Sequence, residues 1–331
     1  MLEKPAIADE TIVACVQASF ALAVDRLDFL PLGADLNTAV YRVTSQAQTP
    51  YFLKLRSGRF NELSVLLPKF LSDQGIAEII RPFTTQNGEL WADLGRFRAV
   101  LYPFIEGHDA YEVPLSEPQW RQFGAALQQV HTAVLPPFLA AHIAPETYSP
   151  KWRQIVADFM QRIQHEQFTE PVAVRMAAFL NTKRDVVAQL RQRTEELAEV
   201  IQKRPQTFVL CHADIHAWNV LVSTDGALYI VDWDDPVLAP KERDLMFIGA
   251  GLGNIWDTPR EEALFYEGYG PAEINRDMLA YYRGERIIQD IAVYCEQIFL
   301  SDEGGQDREV AFRQLASNFL PQSTIEKALA T

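Results

Sequence analysis

Residues 208–236, F-V-L-C-H-A-D-I-H-A-W-N-V-L-V-S-T-D-G-A-L-Y-I-V-D-W-D-D-P, decide the fold. They set His212, Asp214, His216, Asn219, Asp232 and Asp234 between apolar runs at 208–211, 220–222 and 228–231. Thr224-Asp225-Gly226 has the composition of a hairpin turn. The expectation is two short paired strands, with a polar loop leading in and a polar end leading out. Asp214 and Asn219 then lie on the loop. Asp232 lies just past the second strand, held near the loop by the hairpin.

Asp and Asn are common turn residues, so D-x-x-x-x-N alone says little. H-x-D-x-H-x-x-N followed by a hairpin and an apolar run ending in Asp is far more specific. One Asp placed to accept a hydroxyl proton, with an Asn and a second Asp as oxygen ligands, suits Mg²⁺-dependent phosphoryl transfer, because Mg²⁺ prefers hard oxygens. Protein kinases use this spacing: H-R-D, four residues, Asn, then a later D-F-G. His212, Asp214 and Asn219 stand at the first positions, and Asp232-Trp233-Asp234 at the last.

Upstream, residues 9–24 carry the apolar spacing of an amphipathic helix. Strands are expected at 27–32, 38–43 and 51–55, with Gly33-Ala34-Asp35 as the turn between the first two. That turn has the place of a phosphate-covering loop but only one glycine, and Asn37 or Thr38 is either a phosphate donor or an ordinary turn residue. Lys54 interrupts Y-F-L-K-L, and strand alternation puts it on the face opposite Leu53 and Leu55. It is either a solvent-facing residue or the lysine that holds nucleotide phosphates. Glu62, opening a helix over 61–72, would pair with it. Further strands are expected near Arg81-Pro82, at 90–92 and at 98–102. Pro103, Phe104 and Ile105, before Glu106-Gly107, form the expected hinge, where backbone groups would read adenine.

From 117 onward the pattern is helical: 117–131, 155–163, one long helix over 173–203, 265–269, 280–295 and 310–319, with a polar loop at 302–307. His131 reads as a packed helix-end residue. Asp244 either receives hydrogen bonds from the 212–214 loop or caps the next helix. Gly249 to Gly253 reads as a flexible segment.

The chain has 331 residues, 48% hydrophobic and 22% charged, which suits two soluble domains with a large core. Cys15, Cys211 and Cys295 are odd in number and far apart, as expected of buried free thiols in a reducing, cytoplasmic setting. No secretory leader or membrane-length apolar run is seen. A net charge of -14 argues against nucleic acid and is compatible with a cationic small molecule, although acidity also serves solubility. Oligomeric state is left open.

C-H-A-D-I-H-A-W-N, I-V-D-W-D-D-P, A-P-K-E-R-D-L-M-F-I-G, Y-F-L-K-L, Y-S-P-K-W-R and Y-Y-R-x-E-R-I-x-x-D-I-A-V-Y together resemble the aminoglycoside phosphotransferases over most of the chain. The resemblance implies an α+β, protein-kinase-like two-lobed fold. Its small antiparallel-sheet lobe would span 1–106, with the hinge at 103–107. Its larger helical lobe would span 107–331, with a helical insertion at about 146–205. It implies Asp214 as the catalytic base that orients the acceptor hydroxyl, Asn219 and Asp232 as Mg²⁺ ligands, and Lys54 on the phosphates of ATP. His216 either donates to the transferred phosphate or braces the loop. Trp218 departs from the smaller residue expected beside Asn219. Asp234 and Asp235 are the candidate partners for amines of an aminocyclitol such as spectinomycin, with Asp234 equally placed to serve the metal. Trp152 and Tyr282 either wall the pocket or are core aromatics. The same grammar also serves choline, homoserine or methylthioribose kinases. A nucleotide-binding pseudokinase is disfavoured, because Lys54, Asp214, Asn219 and Asp232 are all present.

Overall fold

The computed structural model describes residues 4–32, 37–249, 255–301, 305–321 and 324–330. The expected turn Gly33-Ala34-Asp35 and the segment 250–253 lie outside these residues. In chain order the first elements are α1 (Asp9–Phe20), β1 (Val24–Leu30), β2 (Thr38–Ser45), β3 (Pro50–Ser57), α2 (Leu63–Asp73), β4 (Ala92–Leu94), β5 (Phe97–Pro103) and β6 (Gly107–Asp109). Next come α3 (Glu117–Thr132), α4 (Pro137–Ala140), α5 (Lys151–His165), α6 (Pro171–Thr182), α7 (Arg184–Ile201), β7 (Val209–Cys211), β8 (Val220–Ser223) and β9 (Leu228–Ile230). The chain continues through β10 (Val237–Ala239), α8 (Glu242–Leu245), α9 (Pro259–Tyr269), α10 (Arg276–Phe299), α11 (Gly305–Ser317) and α12 (Thr324–Ala330).

These elements form two compact units, each assembled from three segments. The first comprises Met1–Leu115, Ala133–Ile143 and Trp218–Pro236; the second comprises Ser116–Thr132, Ala144–Ala217 and Val237–Thr331. A single boundary at 106/107 therefore does not describe the division. Residues 107–115 and 218–236 are tied together because β6, β8 and β9 hydrogen-bond into one small sheet, which a bridge from Ile230 to Ile79 joins to the rest of the first unit.

In the first unit an antiparallel sheet runs β1-β2-β3-β5-β4. Leu53 and Leu55 are fully buried on the face that packs Ile12 and Val16 of α1. Lys54 points to the other face, in register with Val40 and Val100, where Val65 of α2 packs on Val100. The β8–β9 hairpin turns at Thr224-Asp225-Gly226 as expected, with Gly226 at φ +89°. A Cβ on Gly107 would sit 2.0 Å from the Val222 carbonyl oxygen, so β6 can lie on β8 only with glycine there.

In the second unit α10 is the central helix. Its Ile287, Ile288, Ile291 and Cys295 share a core with α5, α6, α7, α11 and α12. Asn275 caps it by accepting from the Asp277 and Met278 amides. α3 packs on α9 so closely that a Cβ on Gly124 would fall 2.1 Å from the Phe265 carbonyl oxygen. No helix among the described residues is long and apolar enough to cross a membrane.

Several expectations require correction. α1 stops at Phe20 because Ala21 turns left-handed at φ +53°, and Val24 opens β1 instead. The strand expected near Arg81-Pro82 does not form, since Pro82 has no N–H for a ladder; a bridge at Ile79 to Ile230 stands nearby. The helix expected over 173–203 breaks at Lys183, which leaves helical geometry at φ -103°, ψ 8°. Gly305 to Asp307 begin α11 rather than lying in a loop, and α12 follows. The cysteines are free thiols, but Cys15 is only half-buried.

Gly124→Ala should destabilise the protein by about 3 kcal/mol or more, because the backbone of α9 cannot yield as a side chain would. A lowered urea midpoint at unchanged slope is the expected result.

Candidate active site

Two clusters of charge are built, one within each unit. In the first, strand alternation aims both Lys54 and Arg56 at the segment following β9. The Lys54 ammonium donates to Asp232 at 2.8 Å and to the Asp234 carboxylate at 2.9 and 3.0 Å. Arg56 donates to the same Asp234 carboxylate. Asn61 donates to the Asp234 backbone carbonyl at 3.0 Å and accepts from the Leu63 amide, tying the start of α2 to this segment. Burial works against the Lys54 charge, but Asp232 and Asp234 outweigh it and raise its pKa, so the ammonium stays charged. The expected Lys54–Glu62 pair is not formed. Glu62 is exposed at the start of α2, and the nearer carboxylates of Asp232 and Asp234 take the lysine.

Asp232 adopts φ +68°, a left-handed conformation that costs energy for a residue with a Cβ. Trp233 helps hold it there: the indole is buried and its N–H donates to the Ile230 carbonyl. Asp232 nevertheless keeps 47% of its side chain exposed, against 16% for Lys54. Asn219 is 8% exposed and directly precedes β8, and its carbonyl accepts from the Val231 amide at 3.0 Å. The hairpin register, Val220 opposite Ile230, thus sets Asn219 and Asp232 side by side at the open end of the hairpin. One carboxylate and one amide oxygen, both hard donors, fit a divalent ion such as Mg²⁺. Trp218 stacks on Tyr111 at 4.2 Å, which accounts for a large ring beside Asn219. At the expected hinge, Pro103 ends β5. Phe104 leans on Phe52 at 6.4 Å and lies under the Arg42 guanidinium at 4.6 Å, and Ile105 is half-buried beside it.

The second cluster centres on Asp214. Arg286 of α10 donates to one of its oxygens, and His216 Nε2 lies 3.5 Å from the other. Arg286 Nε donates in turn to Asp290 at 3.0 Å, one helical turn on. Burial alone would raise the Asp214 pKa, but Arg286 and then His216 outweigh it and hold the carboxyl well below the usual carboxylate range. His216 packs edge-on against Phe247, whose ring also lies 5.7 Å from the Arg286 guanidinium.

The loop carrying Asp214 is pinned from beneath. Asp244, fully buried, accepts from the His212 amide at 2.9 Å, the Ala213 amide at 2.6 Å and His131 Nε2 at 3.0 Å. The His131 Nδ1 lies 2.7 Å from the Tyr269 hydroxyl. Ala213 sits at φ +72°, and the paired amide bonds to Asp244 keep it there. Of the two sequence readings of Asp244, the loop-supporting one is realised. Burial pushes the Asp244 pKa up, but His131 and the loop amides bring it below the ordinary value.

Of the other expected site residues, Asp234 belongs to the first cluster. Tyr282 is 1% exposed and packs on Tyr148 and Tyr281 as a core aromatic. Trp152 is half-buried against the same core as α10, with the Lys151 ammonium 4.1 Å over its ring. Asp234 is already matched by Lys54 and Arg56, while Asp235 is exposed. Arg56, Asn61 and Arg286 received no role from the sequence. Arg56 follows Lys54 on the same strand face, and Arg286–Asp290 has i,i+4 spacing, but neither pattern signals a long-range carboxylate partner.

The APH model of the phosphotransferase enzyme family matches residues 28–282. Spectinomycin phosphotransferase APH(9)-Ia, solved with ADP and spectinomycin, is 36% identical with a TM-score of 0.93, covering 98% of this chain and 99% of that one. The AMP-bound complex of the same enzyme is 35% identical with a TM-score of 0.89 over the same shares. Protein StrN of Streptomyces griseus is 24% identical over 307 residues, 89% of this chain and 86% of its own length. Choline kinase LicA from Streptococcus pneumoniae, at 16% identity and a TM-score of 0.57, covers 93% of this chain and 99% of its own and shares the fold. With the kinase-like spacing of Asp214, Asn219 and Asp232 and a strand lysine bound to Asp232, these likenesses make the chain a member of the aminoglycoside phosphotransferase family, a phosphotransferase enzyme of the two-lobed, protein-kinase-like α+β fold.

Proposed function

We infer that this enzyme transfers the γ-phosphoryl group of ATP to a hydroxyl of an aminocyclitol antibiotic, with spectinomycin the leading substrate. The observation that carries this reading is the 36% identity over nearly the whole chain to an enzyme solved with ADP and spectinomycin. The chemistry asks little covalent work of the protein. The substrate oxygen bonds to the γ-phosphorus, the phosphorus–oxygen bond to ADP breaks with its electron pair leaving on ADP, and the hydroxyl proton is released. The protein supplies position and charge.

Asp214, kept as an anion, accepts a hydrogen bond from the attacking hydroxyl and orients its lone pair. Lys54, permanently cationic, holds phosphate oxygens. Asn219 and Asp232 are the residues that would hold Mg²⁺, which when bound neutralises charge on the phosphates. Phe104, with Pro103 and Ile105, borders the expected adenine site. His216 steadies Asp214. The net charge of -14 favours a cationic substrate, and Asp235, exposed where Asp234 is engaged, is the carboxylate of that pair able to receive an amine.

Asp214→Asn should lower kcat with ATP and spectinomycin by about 10²–10⁴-fold while nucleotide binding, followed by calorimetry, persists. Full turnover in this variant would overturn the assignment. Lys54→Ala should act on nucleotide use, raising the KM for ATP about tenfold or more in a steady-state titration. A panel containing spectinomycin, choline, homoserine and methylthioribose with labelled ATP tests the substrate. Label on choline alone, for example, would replace the antibiotic reading by a metabolite kinase.

A further inference from the structure

Arg286 lies on α10 and Asp214 on the loop after β7, 72 positions apart in the chain, yet the guanidinium donates directly to the carboxylate. The same guanidinium uses its Nε on Asp290, so it is held from two sides in a fork. Its stem is further fixed by the Phe247 ring. An arginine buried this far and spanning two carboxylates cannot be a solvated surface charge. Surface ion pairs are worth little, whereas a desolvated fork imposes geometry.

We propose that Arg286 is a positioning residue of the phosphoryl transfer: bracketed by Asp214 and Asp290, it locks the Asp214 carboxylate in one orientation and in its anionic form. The proposal rests on the assignment of Asp214 above. The loop backbone fixes where the Asp214 Cα stands, through Asp244. Arg286 fixes where its oxygens stand. Each Asp214 oxygen then has an internal neighbour, Arg286 on one and His216 on the other, so rotation of the carboxylate is opposed at both. The charged and titratable groups that face this centre are His216 from the loop and Arg286, Asp290 and Tyr294 from α10.

Removing the cation leaves Asp214 to its burial and to the Asp290 charge, both of which favour the protonated acid; His216 alone opposes them. The Asp214 pKa therefore rises, by about 1–3 pH units for loss of an adjacent opposite charge. The acidic limb of the pH profile of kcat/KM is expected below the usual carboxylate range in the parent enzyme and should move up towards it in the variant.

The test compares Arg286→Met, Arg286→Lys and Arg286→Met combined with Asp290→Asn in the full chain, with spectinomycin, ATP and Mg²⁺. Arg286→Met should lower kcat about 100-fold with the KM for ATP unchanged, and should raise the acidic limb. Arg286→Lys keeps the charge and loses the fork, so it should lower kcat less and leave the limb low. The double variant, free of the orphaned Asp290 charge, should still show the raised limb. An unmoved limb in Arg286→Met, or a raised KM for ATP without a limb shift, would overturn the proposal, the latter by making Arg286 a phosphate ligand. Carbon-13 NMR of aspartate carboxyls, with the Asp214 signal identified by its loss in Asp214→Asn, reads the same titration without turnover. If the parent enzyme phosphorylates nothing in the panel, this measurement still decides: a signal that titrates alike with and without Arg286 refutes the lock, and one that titrates only in its absence upholds it. Should Arg286→Met fail to fold, Arg286→Lys and the double variant carry the comparison under the same criteria.

Discussion

A carboxylate with no access to water, Asp244, is the constraint on which the loop carrying Asp214 rests. A buried anion is tolerated only when its oxygens are met by donors. Here two consecutive loop amides and one imidazole do this, and the imidazole is itself oriented by a tyrosine hydroxyl. The arrangement exchanges one cost for another. Ala213 is forced into a left-handed conformation, and the desolvated Asp244 is satisfied only while Ala213 stays in it. Loop shape and buried charge therefore support each other, and Asp214 leaves the loop in a fixed direction.

The same logic recurs at the other end of the motif. Asp232 is also left-handed, and it too is held by its surroundings, with Trp233 anchored below and the Lys54 ammonium above. Lys54 does not stand alone against Asp232, since Asp234 and Arg56 complete a four-member cluster of alternating charge. Both chemical centres thus combine a strained backbone residue with a buried ionic network. Such strain persists only where the neighbourhood over-determines it.

How much of this was legible in the sequence depends on the range of the interaction. The β8–β9 hairpin, the placing of Lys54 on the face opposite Leu53 and Leu55, and the helical run after residue 117 rest on local periodicity and turn chemistry, which a sequence displays directly. The break at Lys183 leaves no local sign, because the apolar stripe continues through it and nothing nearby demands a change of direction. Pairing was harder still. Lys54 was expected to meet Glu62, a neighbour in sequence, but meets Asp232 and Asp234 instead. Arg286 is visible only as one member of an ordinary i,i+4 pair, and its bond to Asp214 exists only once α10 is folded. Tyr282 had a composition equally suited to a pocket wall or a core, and burial decided for the core.

The three-segment construction of each unit has a consequence for synthesis. The ribosome releases the five-stranded sheet long before the β8–β9 hairpin. At about 5–20 residues per second the interval between Leu115 and Pro236 is several seconds or more. During it, Ile79 lacks its bridge to Ile230, Gly107 lacks the β8 backbone it was shaped to receive, and Lys54 lacks both of its aspartates. The completed first unit is therefore a late product of translation. Unpaired backbone at β6 and Ile79 and an unmatched Lys54 mark an interval in which chaperone capture or mispairing competes with native closure.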